Sequence, residues 1–258
     1  MYNIILFVKT SEFYIKVIEE YLKNFNILLI VINKKSDYNS NFNNFINNKK
    51  LKYLVHPYKK NIIETKKFIN NLKYYDIDYI FTIYYPQILT KEIINLAKFN
   101  SFNFHPGRLP DQRGAHILNW LIIKNITESC VTLHKLNEEI DAGKILHEEK
   151  YLINYEDTIN DIIKKTNDKA LIIIKNLNNF LNYGKENLYE NDGINIYYNP
   201  RNIENSEINL EKDSLLEIYN KNRALVYPYP GIFWFKNGIK FNNNKFLNID
   251  ELKILIYN

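Results

Sequence analysis

Cysteine occurs once in the 258 residues, as Cys130. No internal disulfide can form, and the chain reads as one made for a reducing cytoplasm. Cysteine-rich zinc sites are excluded with it, no histidine pair has ligand spacing such as HExxH, and no metal is expected. Glycine and proline number only seven each, which excludes collagen-like and low-complexity architectures. No apolar run approaches the roughly 18 residues needed to cross a bilayer; the longest is Ile27 to Ile32. The opening MYNIILFVKT lacks the basic start and long apolar middle of a signal peptide and reads as a first strand. The turn after it, VKTSEF, has no glycine. The dinucleotide-binding fingerprint is therefore missing, and no GxxxxGKS/T phosphate loop occurs elsewhere. The net charge of +5 is mild and spread as single lysines, which reads as a solvated surface rather than a nucleic-acid face.

What is present is a full core: 46% hydrophobic and 15% aromatic residues, enough for one large domain or a domain with an appendage. The chain carries 41 Asn, 40 Ile and 21 Tyr, with only four Arg among 34 basic residues, the signature of an AT-rich coding sequence. Asparagine runs such as Asn242 to Asn244 consequently mean little. Arginine, glycine and histidine that persist against this drift mean more. Gly107, Gly114, Gly143, Arg108, Arg113, His105, His116 and His134 all fall between residues 101 and 143, so the search for chemistry narrows to that stretch.

Apolar runs alternate with helical patterns through the first two thirds. Strands are expected at Tyr2 to Val8, Ile27 to Ile32, Leu51 to Val55, Tyr79 to Ile83, Ser101 to Asn103 and Ser129 to His134. Helices are expected at Phe13 to Asn24, Glu64 to Tyr75 and Lys91 to Ala97, with a longer one from Tyr155 to Tyr183 capped by Gly184. Short β-branched runs separated by helices argue for an α/β fold with a Rossmann-like, parallel-rich sheet. From about Glu190 the texture changes to INIYYN, ALVYPYPG and IFWFKNGIKF, the last with an Asn237-Gly238 hairpin turn. Two units are expected: residues 1–185, and a small, mostly β appendage at 190–258.

In doubly wound sheets the site lies at the carboxyl ends of the strands. There SFNFHPG places Asn103 and His105 at i and i+2, on one face of a strand that Pro106 and Gly107 end. Asp141 sits in a loop between two apolar segments, before Ala142 and Gly143. Asn, His and Asp form a complete set for acyl transfer to an amine. The imidazole, with an ordinary pKa near 6.5, takes the proton. The carboxylate fixes its tautomer and stabilises imidazolium, and the amide donates to the developing oxyanion, worth roughly 3 kcal/mol. No serine or cysteine nucleophile is needed. Singly, a strand-end histidine and a turn aspartate read as structural; the shared face and the crowding of rare residues favour chemistry. His116 and His134 show no partner in the sequence and read as structural.

These residues resemble the formyltransferases that use 10-formyltetrahydrofolate. The likeness rests on Asn103, His105 and Pro106, on Leu109, Pro110, Arg113 and Gly114 behind them, and on Asp141 and Gly143, and it spans roughly residues 75 to 180. The resemblance implies that Asn103, His105 and Asp141 are catalytic. It implies that the folate lies against Tyr84, Tyr85, Pro86, Gln87, Ile88 and Leu89 on one side and the NEEID loop with Glu138, Glu139 and Ile140 on the other. The tail NRALVYPYPGIFWFKNGIKF and the segment GAHILNW resemble the nucleotide-sugar branch of that family. Arg113, Gly114, Trp120 and Arg223 are then expected to face the acceptor. The implied acceptor is the amine of a nucleotide-linked amino-dideoxysugar, with dTDP-4-amino-4,6-dideoxyglucose as the single best candidate, and the implied role is in surface polysaccharide (O-antigen) synthesis, with a homodimer possible and no nucleic-acid or membrane partner. Methionyl-tRNA formylation, a non-catalytic folate or nucleotide-sugar binding module and a hydrolase of the folate donor stand as alternatives.

Overall fold

The computed structural model describes residues 1–33, 39–57 and 61–257. Its centre is a seven-stranded sheet of order β3-β2-β1-β4-β5-β7-β8. The strands are β1 (Tyr2–Val8), β2 (Phe25–Asn33), β3 (Tyr53–His56), β4 (Tyr79–Ile83), β5 (Asn100–His105), β7 (Glu128–Lys135) and β8 (Ile145–Leu152); the two-residue β6 (Arg113–Gly114) lies outside it. β1 and β4 hold the middle because they are apolar on both faces: Ile4 to Val8 and Tyr79 to Ile83 are all buried. That is the pattern of a strand covered by helices on both sides. The two-residue strand β9 (Tyr197–Tyr198) pairs in parallel with β6.

The sheet is covered by α1 (Glu12–Leu22), α2 (Ser40–Asn48), α3 (Ile62–Leu72), the one-turn α4 (Lys91–Ile94) and α6 (Ile159–Phe180), while α5 (Ile117–Ile123) lies to one side. α2 went unread in the sequence because SNFNNFINN is mostly asparagine; its buried face is only Phe42 and Ile46, one turn apart, started by Asn39, whose side chain accepts from the Phe42 N–H. α6 begins at Thr158, whose N–H and hydroxyl both reach the Asp161 carboxylate. It ends at Leu181 in extended backbone. Gly184 is therefore not its cap, as expected, but sits beyond it at φ +84 with its N–H on Glu186 and the Tyr79 hydroxyl.

Parallel pairing runs from β3 through β5, and then the sheet turns: β5–β7 and β7–β8 are antiparallel. A further parallel strand would need a crossover helix packed on the sheet. α5, the helix in that connection, packs elsewhere. Its Ile117, Leu121 and Ile122 join Tyr151, Ile153, Ile159 and Ile162 in a second apolar cluster with Ile218, Tyr219, Leu225, Trp234 and Leu252 from the last third of the chain. That last third contains the expected hairpin, β10 (Ile232–Lys236) and β11 (Ile239–Asn243), turned by Asn237 and Gly238 at positive φ. It also contains α7 (Leu215–Ala224) and α8 (Ile249–Tyr257); the ALVY run read as strand-like is the end of α7 and the turn after it. Among the described residues no helix is long and apolar enough to cross a membrane.

Arg223 anchors this packing, which corrects its expected place against the acceptor. It is 1% exposed. Its guanidinium donates to the carbonyls of Asn154 and Asp157 and to the Asn220 side chain, and lies over the Tyr219 ring. Those carbonyls belong to the turn that starts α6, so Arg223 bolts α7 to it. Arg223→Met should leave the Asp157 carbonyl and the Asn220 side-chain oxygen without the guanidinium donor and cost about 3 kcal/mol, a fall of roughly 6 to 10 °C in Tm for a chain of this size. Thermal unfolding followed by circular dichroism checks this; a Tm within about 2 °C of the parent would contradict the anchoring role.

Candidate active site

Three neighbouring strands place one polar row on a single face at the carboxyl end of the sheet. In the register Thr82 of β4 lies beside Asn103 of β5, Asn103 beside His134 of β7, and His105 beside Thr132. Strand alternation sends the residues between them, Phe81, Phe102, Phe104 and Leu133, into the apolar core on the other face. The Thr82 hydroxyl is 2.6 Å from Asn103 Oδ1, and Asn103 Nδ2 is 3.0 Å from His134 Nε2. Thr82, His105 and His134 are buried, while the Asn103 amide is only partly so.

Asp141 arrives from the loop between β7 and β8 and sits between two imidazoles. Its Oδ2 is 3.5 Å from His105 Nδ1, its Oδ1 is 3.6 Å from His134 Nε2, and the Gly114 N–H donates to it at 3.3 Å. The loop is tightly built. Asp141 has φ +52, a conformation that costs a non-glycine residue free energy and persists only where the surroundings impose it. A Cβ on Gly143 would lie 1.8 Å from the Lys135 carbonyl oxygen, so only glycine fits. Asn191 donates to the carbonyls of Asp141 and Gly143. Arg113 donates from Nε and Nη2 to the Ile140 carbonyl and pairs with Glu139 at 3.2 Å.

Arg113 is therefore corrected as well: it is 7% exposed, and its donors hold the Asp141 loop instead of facing an acceptor. Gly114 offers Asp141 its backbone N–H, and at φ +108 with the Tyr198 carbonyl 2.2 Å from an added Cβ it must be glycine.

The His105 tautomer is set from the other side. Nε2 lies 2.6 Å from the Gln112 carbonyl oxygen, which can only accept, so Nε2 carries the hydrogen and Nδ1 is the vacant nitrogen facing Asp141. The sequence reading had given that task to the carboxylate; a backbone carbonyl performs it. Gln112 is itself held, its side-chain oxygen accepting from the Ser129 hydroxyl and the Arg108 N–H. Burial holds His105 below the ordinary imidazole pKa, against the opposing pull of Asp141. Burial also works against the Asp141 charge, but the two imidazoles and the Gly114 N–H outweigh it and hold the carboxyl well below the usual range. Cys130 is buried, and its thiol is pushed up to about 12 by burial, so no thiolate nucleophile is available there.

Lys91, at the start of α4 just past the first of the two loops expected to hold a folate, pairs with Glu138 of the second at 2.5 Å. The residues of the two loops divide by orientation. Pro86, Ile88, Glu138, Glu139 and Ile140 are exposed. Gln87 donates to the Pro57 carbonyl and accepts from Asn33. Three expected contacts turn inward. Tyr84 stacks on Phe13 and donates to the Thr166 carbonyl, Tyr85 packs on Phe7 and His56, and Leu89 is a core residue. The aromatic side chains complete the core beneath the loop.

Trp120 is half-buried, with its Nε1 on the Asn199 carbonyl, the Tyr198 ring 6.1 Å away and the Arg201 guanidinium 5.9 Å from its ring centre. Arg201 donates from Nη2 to Ser206, and its Nε is buried without a hydrogen-bond partner. Thr82, Gln112 and Arg201 were not singled out by the sequence, and His134 was read there as structural, without a partner. The roles of Thr82 and His134 could have been found only from the strand register.

The sequence matches the formyl transferase family over residues 3–176. The chain belongs to that family. The bifunctional polymyxin resistance protein ArnA of Wigglesworthia glossinidia brevipalpis is 34% identical over 174 residues, 65% of this chain and 26% of the relative; this formyl transferase thus spans about a quarter of that relative's length. A 4-N formyltransferase from Francisella tularensis superimposes with a TM-score of 0.76 at 21% identity, over 96% of this chain and 98% of the other. An N-formyltransferase from Helicobacter canadensis, solved with folinic acid and dTDP-3-aminofucose, gives 0.71 at 22% identity, over 92% and 85%. At these identities the likeness is one of fold, and it extends across the last third of this formyl transferase.

In the proton-accepting role expected of it from the sequence, His105 must be uncharged, so kcat/KM should rise with pH through a midpoint below the ordinary imidazole value of about 6.5. Asp141 favours the imidazolium. Asp141→Asn should therefore lower turnover by at least about a hundredfold and move the acid limb to still lower pH. A pH–rate series on both proteins checks the sign; an acid limb that stays put or moves upward in the variant breaks the pairing.

Proposed function

We propose that this chain transfers the formyl group of 10-formyltetrahydrofolate to the amine of a nucleotide-linked amino-dideoxysugar. The observation that carries the reading is the convergence of Asn103, His105 and Asp141 at one strand lip, an amide donor, a vacant imidazole nitrogen and an ionised carboxylate. In this reading the acceptor nitrogen bonds to the formyl carbon while Asn103 Nδ2 donates to the developing oxyanion. The proton lost by the amine passes to His105 Nδ1, where Asp141 stabilises it, and is returned to the donor nitrogen as its bond to the formyl carbon breaks. Asn103, His105 and Asp141 are the catalytic residues. The exposed residues of the 84–89 and 137–141 loops, Pro86, Ile88, Glu139 and Ile140, form the folate side.

For the acceptor, Arg113 and Arg223 are committed to carbonyls inside the protein. We assign the diphosphate to Arg201 instead, with Trp120 and Tyr198 beside it for the base. A nucleotide sugar as acceptor is supported by the fold likeness over the last third of the chain and by dTDP-3-aminofucose in the Helicobacter protein. The best single candidate remains dTDP-4-amino-4,6-dideoxyglucose, made in the cytoplasm for surface polysaccharide. Residues 1–185 supply the donor site and catalytic groups, and residues 190–258 complete the acceptor side.

The test is incubation with 10-formyltetrahydrofolate and a panel of nucleotide-linked amino sugars, read by mass spectrometry as a gain of one formyl group. Arg201→Ala should raise the acceptor KM by about tenfold or more while leaving the donor KM within about twofold. Acceptor binding should weaken only modestly with salt, because a diphosphate presents few charges, whereas a tRNA would show a steep dependence. Faster formylation of charged initiator tRNA than of every amino sugar tested would overturn the reading.

A further inference from the structure

We infer that Thr82 is a positioning residue that holds the Asn103 carboxamide in one of its two orientations; this rests on the formyl-transfer reading above. The two ends of a carboxamide are similar in shape and opposite in hydrogen bonding, Oδ1 accepting and Nδ2 donating. Turning it over by half a rotation exchanges a donor for an acceptor at the position where the formyl oxygen becomes an anion. Something must choose, and the neighbours of Asn103 make the choice twice.

On one side, the His134 Nδ1 lies 3.1 Å from the Lys135 carbonyl oxygen. A carbonyl only accepts, so Nδ1 carries the hydrogen, and in the uncharged ring Nε2 is an acceptor. Asn103 must then turn Nδ2 toward His134 and Oδ1 toward Thr82, as observed. On the other side, the Thr82 hydroxyl is buried, and among the described residues Asn103 Oδ1 is its one hydrogen-bond acceptor. With the amide reversed, that hydroxyl would receive a hydrogen from Nδ2 and have nowhere to place its own. A buried donor left unmade costs about 1–3 kcal/mol, enough to hold one orientation at better than about 80%. Both neighbours thus favour the same arrangement. Nδ2 spends one hydrogen on His134 and keeps the second for the exposed edge of Asn103, the only partly exposed member of the row.

The register makes this a property of the sheet. Thr82, Asn103 and His134 are direct cross-strand partners on β4, β5 and β7, so the amide is clamped from both flanking strands by buried groups.

The experiment compares Thr82→Val, which keeps the shape and removes the hydroxyl, with Thr82→Ser, which restores it. Expected for Thr82→Val is a kcat lowered by about tenfold or more, with KM for both substrates within about twofold and an unchanged circular dichroism spectrum, because only the transition-state donor is disturbed. Thr82→Ser should return kcat to within about threefold of the parent. Equal kcat in all three proteins, equal losses in the valine and serine variants, or a loss confined to KM would overturn the inference. A readout independent of turnover uses ¹⁵N-histidine labelling. The chain has five histidines, and His134→Gln assigns the signal. At neutral pH His134 should be the tautomer protonated at Nδ1; a hydrogen on Nε2, which Asp141 Oδ1 at 3.6 Å could accept, would remove the demand that His134 places on the amide and overturn the inference even if Thr82→Val fails to fold. If no acceptor is formylated by the parent protein, the function proposed above fails, while the tautomer measurement still decides the clamp.

Discussion

A carboxylate held away from water between two imidazoles governs this part of the molecule. Isolated, a buried charge of that kind would take up a proton. Asp141 keeps its charge because the Gly114 N–H donates to it and because a proton taken up by either flanking imidazole pairs with it. Each of those partners makes a demand on the chain. The residue itself must accept a left-handed backbone, Gly143 must have no side chain against Lys135, and Gly114 must have none against Tyr198. Arg113 and Asn191 tie the loop down by its carbonyls. Five residues spread from 113 to 191 are thereby committed to the placement of one carboxylate.

The change of strand direction after β5 supplies the rest. Had β7 run parallel, its connection would have needed a helix over the sheet, on the face where the polar row lies open. Because α5 packs against the second apolar cluster instead, β7 returns antiparallel and presents His134 opposite Asn103. The same detour carries Arg108, Gln112 and Gly114 past His105, so the loop that reverses the chain also delivers the carbonyl that orients its imidazole.

The sequence made the sheet legible where strands are apolar on both sides: the bounds of β1 and β4 were read without error, and Asn103 and His105 stood out by their shared strand face and by the crowding of rare residues around them. Asp141 was legible through Gly143. His134 and Thr82 were not, because their significance lies in which residue stands opposite, and strand register leaves no mark in a single sequence. Arg113 and Arg223 were misplaced for a different reason. Their rarity pointed correctly to necessity but could not distinguish an arginine that meets a ligand from one that holds a turn. α2 stayed hidden because compositional drift toward asparagine had worn its pattern down to two apolar residues.

The pairing of β6 with β9 ties two parts of the site that would otherwise be separate. Gly114 turns its N–H to Asp141 and receives Tyr198 against its backbone, while Tyr198 itself stands beside Trp120. A residue that packs beside Trp120 is thus linked through the backbone of Gly114 to the Asp141 carboxylate. Change in the 194–203 segment is constrained accordingly: a lengthened or shifted backbone there also drags the amide that donates to Asp141. Side chains projecting off a preserved β9 backbone can change without disturbing that amide, whereas a shift of the backbone itself cannot.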